Sequence, residues 1–295
     1  RELLEAVRAA SRRLHDTLVA PVADLIEGAR VVGIVPHRSL HYLSFASLYD
    51  GNEFLIERVS LFHAPSASTV PHSLRGEAPA GGQARQRLKI LAVANPDAED
   101  PAWELPFSEK EVLSLKRNFV DVTVLTGERA TEAWVSENIG EFDVIHFGVH
   151  GYFNAVNPLF SALVLAPDEE RRDDGVLELH EVSGLRIGAH LITLSACQSA
   201  VGRMKSADEL VSMNRSFFYA GTRSILSTLW RVDDVSTSLL TKHFYRHYAG
   251  RPTATAAIGD TKADSLRHAQ LQVLNDGLHY HPMYWAGMIL TGDYR

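Results

Sequence analysis

The chain is expected to fold as an α/β protein, a three-layer sandwich with a mostly parallel central sheet. Two observations predict this. Short apolar runs alternate with amphipathic stretches along all 295 residues, the rhythm of strand–helix units around a parallel sheet. The runs DVIHFGVHG (143–151) and AHLITLSACQSAVG (189–202) are almost wholly apolar until each stops at a chemically capable residue, His150 and Cys197. A strand covered on both faces has that continuous apolar character.

The elements follow in order. Residues 1–28 carry Leu3, Leu4, Val7, Leu14, Leu18, Val22, Leu25 and Ile26 at mostly helical spacing, with Pro21 as an interruption. VVGIVP (31–36) reads as a buried strand, and FLIERVSLFHAP (54–65) as a strand ending against Pro65. RGEAPAGGQARQR (75–87) is loop-like. LKILAVA (88–94) is a buried-type strand, followed by a helix over 106–119, a strand over 120–125 and a helix over 131–139 capped by Thr131 or Thr126.

In the second half, 142–149 is a strand, while 161–167 and 175–179 flank the charged tip PDEERRDDG as a hairpin. A strand over 190–196 precedes a helix over 207–219 ending at Gly221. TRSILSTLW (222–230) is the next strand, and Asp234 is placed to cap a helix over 235–248. A helix over 262–275 and a last buried strand over 283–290 complete the chain. This suggests a helical lead-in (1–28) and two halves of similar rhythm, 29–140 and 141–295, of which the second carries both His150 and Cys197.

Composition narrows the function. With 45% apolar and 22% charged residues the chain is globular in type, and its net charge of −7 offers no general attraction to nucleic acid or anionic membranes. A single cysteine makes no internal disulfide, which suits a reducing cytoplasm. No apolar run reaches the ~18 residues of a membrane span, and no signal peptide is evident. The chain opens at Arg1, without methionine, directly in a helical pattern, as a fragment of a longer protein would.

Sites in open α/β sheets form at the carboxyl ends of strands, so His150 and Cys197 can meet although 47 positions separate them. That interval is close to the roughly 50 residues between His and Cys in caspase-type peptidases. A free thiol, with a pKa of about 8.5, is only a few per cent thiolate at neutral pH. An imidazolium partner or a helix amino terminus lowers that pKa to roughly 3.5–7.5. Gly151 leaves room for a carbonyl to approach, so the N–H groups of Gly151 and Cys197 are candidate oxyanion donors, worth about 3–4 kcal/mol each. The competing reading makes Cys197 a small buried hydrophobe and His150 a structural residue. Their joint placement at strand ends favours a cysteine-nucleophile hydrolase. His146 lies on the same side of its strand as His150 and suits a supporting role. HYHP (279–282) is better explained as surface loop than as metal ligands, and neither a metal nor a cofactor motif is found.

The chain also resembles the CHAT domain, a caspase-like family related to separases and often fused to tetratricopeptide repeats. The resemblance runs through VVGIVPHRSLHYLSFASLYDG (31–51), APSAS (64–68), VANP (93–96), VIHFGVHG (144–151), LITLSACQSAVG (191–202), ADELVSMNRSFFYAG (207–221), STLWRVDD (227–234) and HPMYWAGMILTGD (281–293). It implies a caspase-like fold with an inactive first half and a catalytic second half, His150 and Cys197 falling on the family's catalytic positions. It further implies a cytoplasmic cysteine endopeptidase acting on a protein substrate. Such a peptidase is regulated by an upstream repeat or sensor region or a partner, often in bacterial defence or programmed death. Asp234 matches the place of an acidic residue that faces a basic side chain on the amino side of the cut bond, with Trp230 as a wall of the same pocket. Against this, Asp234 also suits a helix cap and Trp230 the core. A silent scaffold of the same fold and a non-peptidase thiol hydrolase are the competing functions.

Overall fold

A computed structural model describes residues 2–75, 79, 81–97, 105–152, 154, 156–168, 170–171, 173–195, 207–230, 234–251 and 261–295. Helix α1 (Glu2–Leu18) is followed by a 3₁₀ turn at Ala20–Val22 that accommodates Pro21, then by α2 (Ala23–Ile26) and β1 (Val31–Ile34). The stretch 54–65 is not one strand. Its first part is a helical turn, α3 (Leu55–Arg58), and only Ser60–His63 forms β2. The Glu57 carboxylate accepts the Phe54 N–H at 2.7 Å, satisfying a donor that a helix start would leave open. That local bond wins over the alternating pattern.

After α4 (Val70–Ser73) comes a second departure. Residues 81–86 of the expected loop form α5 (Gly81–Gln86). Tertiary contacts hold it: Gln86 donates to the Ala249 carbonyl at 2.9 Å, and the Arg85 guanidinium lies 4.9 Å from the centre of the Tyr248 ring. Strand β3 (Lys89–Pro96), α6 (Pro106–Leu115), β4 (Asp121–Gly127), α7 (Glu132–Asn138) and β5 (Val144–Gly148) follow as expected. Thr131 is the cap of α7, its hydroxyl accepting the Trp134 N–H at 3.2 Å.

A small antiparallel sheet then branches off as β6 (Gly151–Tyr152), β7 (Ala162–Val164) and β8 (Val176–Glu178). The hairpin expected around the charged tip is its β7–β8 pair. Next come α8 (Leu179–Val182), the wholly buried β9 (Leu191–Leu194) and α9 (Ala207–Tyr219). Gly221 follows with φ +109°, a conformation glycine adopts without strain. Strand β10 (Ser224–Thr228), α10 (Asp234–Tyr248) and α11 (Lys262–Leu274) succeed it. The last strand was expected over 283–290, but Pro282–Trp285 make a helical turn, α12, and β11 runs Met288–Gly292. Pro282 at the first position suits a helix start, and the His281 ring accepts the Met283 N–H at 3.2 Å.

Eight strands form one central sheet in the order β1-β2-β11-β10-β9-β5-β3-β4, with β10–β11 as its single antiparallel pair. Strands from 29–140 occupy both edges and strands from 141–295 the centre, so the two segments share one sheet. Alternation along the strands sends their side chains into two cores. Ile90, Ala92, Ala94 and Val144 join Val112, Leu115, Phe244, Tyr245 and Trp285 on one face. Leu91, Val93, Ile145 and Phe147 join Val135, Val182, Met213 and Phe217 on the other. The helical layers are α6, α10 and α11 on one side and α7, α8 and α9 on the other.

Gly148, at the end of β5, sets the distance to α6. A Cβ there would lie 2.9 Å from the Ser108 Cβ, closer than packed carbons tolerate. Gly148→Ala is therefore expected to cost about 1–3 kcal/mol, read as a lowered urea midpoint at constant slope; an unchanged midpoint would show that α6 yields freely.

Candidate active site

The site is built where β5 and β9, neighbours in the sheet centre, end side by side. They pair in parallel from Val144↔Leu191 to Phe147↔Leu194. Every pair is 47 positions apart in sequence, the same interval that separates His150 from Cys197. The Ser195 N–H donates to the Phe147 carbonyl at 2.9 Å, extending the ladder by one step. Ser195 is the last described residue of this segment, and Cys197 lies outside the described residues.

His150 stands two positions beyond β5 and is buried, with 5% of its surface exposed. Its carbonyl accepts the Val164 N–H at 2.9 Å, tying it to β7. In an antiparallel ladder, hydrogen-bonded and non-hydrogen-bonded pairs alternate. The next pair, Gly151↔Leu163, is therefore non-hydrogen-bonded, and the Gly151 N–H points away from β7. Among the described residues no strand pairs with β6 on that side.

Of the two specificity candidates, Trp230 is half-buried just past β10, packed on Leu229 and Ile289, with its indole N–H donating to the Met283 carbonyl at 3.1 Å. Asp234 is the first residue of α10; its side chain, like residues 231–233, lies outside the described residues. Since β10 runs parallel to β9, Leu229 and Trp230 leave it at the same end of the sheet.

Beneath this end lies a polar cluster of which His146 alone stands out in the sequence. Glu111, on α6, is buried at 6% exposure and accepts the Ser195 hydroxyl at 2.8 Å. The same carboxyl oxygen lies 3.2 Å from His146 Nε2, without the alignment of a hydrogen bond. His146 Nδ1 meets the Tyr245 hydroxyl at 3.2 Å, and that hydroxyl meets Thr193 Oγ1 at 2.7 Å. Burial pushes the Tyr245 phenol far above its ordinary value, so it stays a neutral donor and acceptor. The cluster joins α6 and α10 to β5 and β9, touching each strand a few residues before His150 and Cys197. One signal in the sequence marks it: Glu111 falls beside Val112 and Leu115 on the inward side of an amphipathic helix, where a carboxyl group needs a partner.

Among the described residues no three His, Cys, Asp or Glu side chains converge as a metal site, and no helix is long and apolar enough to cross a membrane. In the HYHP stretch, His279 bonds Asp276 at 2.6 Å while His281 caps α12.

Comparison with known proteins shows the family and the fold. The CHAT domain matches residues 8–293, and the chain belongs to that family. Tetratricopeptide repeat protein 28 of Mus musculus is 26% identical over 96% of this chain, which spans only 13% of that protein. Among solved structures, separase in the Saccharomyces cerevisiae separase–securin complex superposes with a TM-score of 0.58 at 14% identity, covering 88% of this chain and 15% of that one. The Arg-specific cysteine proteinase gingipain R gives a TM-score of 0.55 at 8% identity, covering 98% of this chain and 67% of that one. The fold is caspase-like.

Proposed function

We propose that this CHAT domain is a cysteine endopeptidase with Cys197 as nucleophile and His150 as general base and acid. The observation that carries this reading is the β5–β9 register, whose constant 47-residue interval is that of the two residues. His150 takes the thiol proton, and the thiolate attacks the peptide carbonyl carbon. The oxyanion formed is held by the Gly151 and Cys197 N–H groups. As the C–N bond breaks, the imidazolium gives its proton to the leaving amine. Water, deprotonated by His150, then attacks the thioester, and the returning proton restores the thiol. The enzyme acts in the cytoplasm and is controlled by an upstream repeat region or partner. Mass spectrometry of new amino termini in a proteome treated with the chain tests the reading. Termini present with the wild type and absent with Cys197→Ala are expected; identical termini for both would reject an endopeptidase and leave the silent scaffold or the non-peptidase hydrolase.

Asp234, with Trp230 as a wall of the same pocket, selects a basic residue on the amino side of the cut bond through a charge-assisted hydrogen bond. Asp234→Asn should then reduce cleavage after Arg or Lys by about tenfold or more while sparing neutral sequences. Asn caps a helix about as well as Asp, so a residue that merely caps α10 would leave the preference unchanged, and that result would remove the basic pocket.

A further inference from the structure

A second surface lies far from the candidate site. The carboxyl ends of β5 and β9 mark one edge of the sheet, whereas Arg223, just before β10, and Gly292, ending the antiparallel β11, mark the opposite edge. Here the end of α9, the segment after β2 and the 3₁₀ turn Pro158–Phe160 enclose a groove of about 880 Å³. Within the groove, Arg75, Arg215 and Arg223 stand among Leu159, Phe218 and Tyr219.

Three features define what would fill it. The chain is acidic overall, at −7, yet among the described residues three guanidinium groups and no carboxylate line this groove. Arg75 and Arg215 are exposed and make no ion pair or hydrogen bond among the described residues. Arginine forks suit planar carboxylates, which they bind through paired hydrogen bonds. Tyr219 is 82% exposed and Leu159 50%, so the same surface offers apolar area, and arginine with tyrosine is the pairing enriched at the centres of protein interfaces. The volume falls within the range of roughly 300–1,000 Å³ found for binding clefts. A smaller cavity of about 90 Å³ shares Pro65, Arg215 and Phe218 with it and deepens it towards β11.

We propose that this groove docks a segment of a partner protein in which acidic residues flank an aromatic or aliphatic side chain. The carboxylates pair with the arginines, and the apolar side chain packs on Phe218 and Tyr219. The surface is separate from the candidate peptidase site, and the inference does not depend on catalysis.

The test measures fluorescence anisotropy of a labelled synthetic peptide, Glu and Asp around one Trp, titrated with the Cys197→Ala chain so that cleavage cannot intervene. Saturable binding that weakens with added salt is expected. The double change Arg75→Glu and Arg215→Glu should raise Kd by about tenfold or more, and Tyr219→Ala should raise it by about fivefold. All three side chains are exposed, so unchanged circular dichroism is expected for both variants. Three results would each overturn the proposal: no saturable binding, an unchanged Kd in the charge-reversed variant, or equal binding of a lysine-for-glutamate peptide. Preferential binding of an oligothymidine would likewise overturn it, by making the groove a general anion site.

Discussion

Cys197→Ala and His150→Ala are each expected to lower peptide hydrolysis by about a thousandfold or more while leaving a native far-ultraviolet spectrum. The thiolate is the bond-forming atom, and without the imidazole a thiol of ordinary pKa is mostly protonated at neutral pH. Because the two act as one unit, the double variant should be scarcely worse than either single one. His150 lies beyond the last residue of β5 and is tied to β7 through its main-chain carbonyl, which alanine keeps, so the change removes no sheet pairing. Multiplicative losses in the double variant would mean that the two residues act independently, and turnover retained by Cys197→Ala would remove the nucleophile.

The second large effect is expected at Glu111. Its carboxyl group is the acceptor for Ser195 and the neighbour of His146 Nε2. Glu111→Ala would strand the buried Ser195 hydroxyl, an expected loss of about 1–3 kcal/mol in urea unfolding. Ser195 precedes Cys197 by two residues, so turnover should fall as well. Glu111→Gln keeps an acceptor oxygen in place and should recover most of the stability. A loss under about 0.5 kcal/mol for Glu111→Ala would show that the cluster has no structural weight.

How far the fold could be read in advance depended on where the deciding contact lies. β3, β5, β9 and β10 were legible because a strand covered on both faces is apolar throughout, and α7 because Thr131 carries its own capping oxygen. Residues 54–58 misled because Phe54, Leu55 and Ile56 are equally apolar in a strand or a helix; a single bond from Phe54 N–H to Glu57 decides it. α5 escaped notice because its order comes from Tyr248 and Ala249, more than 160 positions away. At the candidate site, the strand that leads to His150 and Gly151 was legible, being buried and apolar along its length. The support beneath was not, since Glu111, His146, Thr193, Ser195 and Tyr245 meet only when two helices settle on two strands. His146 was legible as a supporting residue from its even spacing to His150, but its partners were not.

The central claim is that Cys197 is an activated nucleophile paired with His150. The direct measurement is the rate of covalent capture of Cys197 by a peptidyl electrophile, followed by mass spectrometry of its peptide from pH 5 to pH 9. An imidazole-paired thiol should give capture rates that level off well below the free-thiol pKa of about 8.5, and His150→Ala should return the inflection towards that value. A Cys197 peptide that stays unlabelled, or one that titrates as a free thiol with and without His150, would contradict the claim.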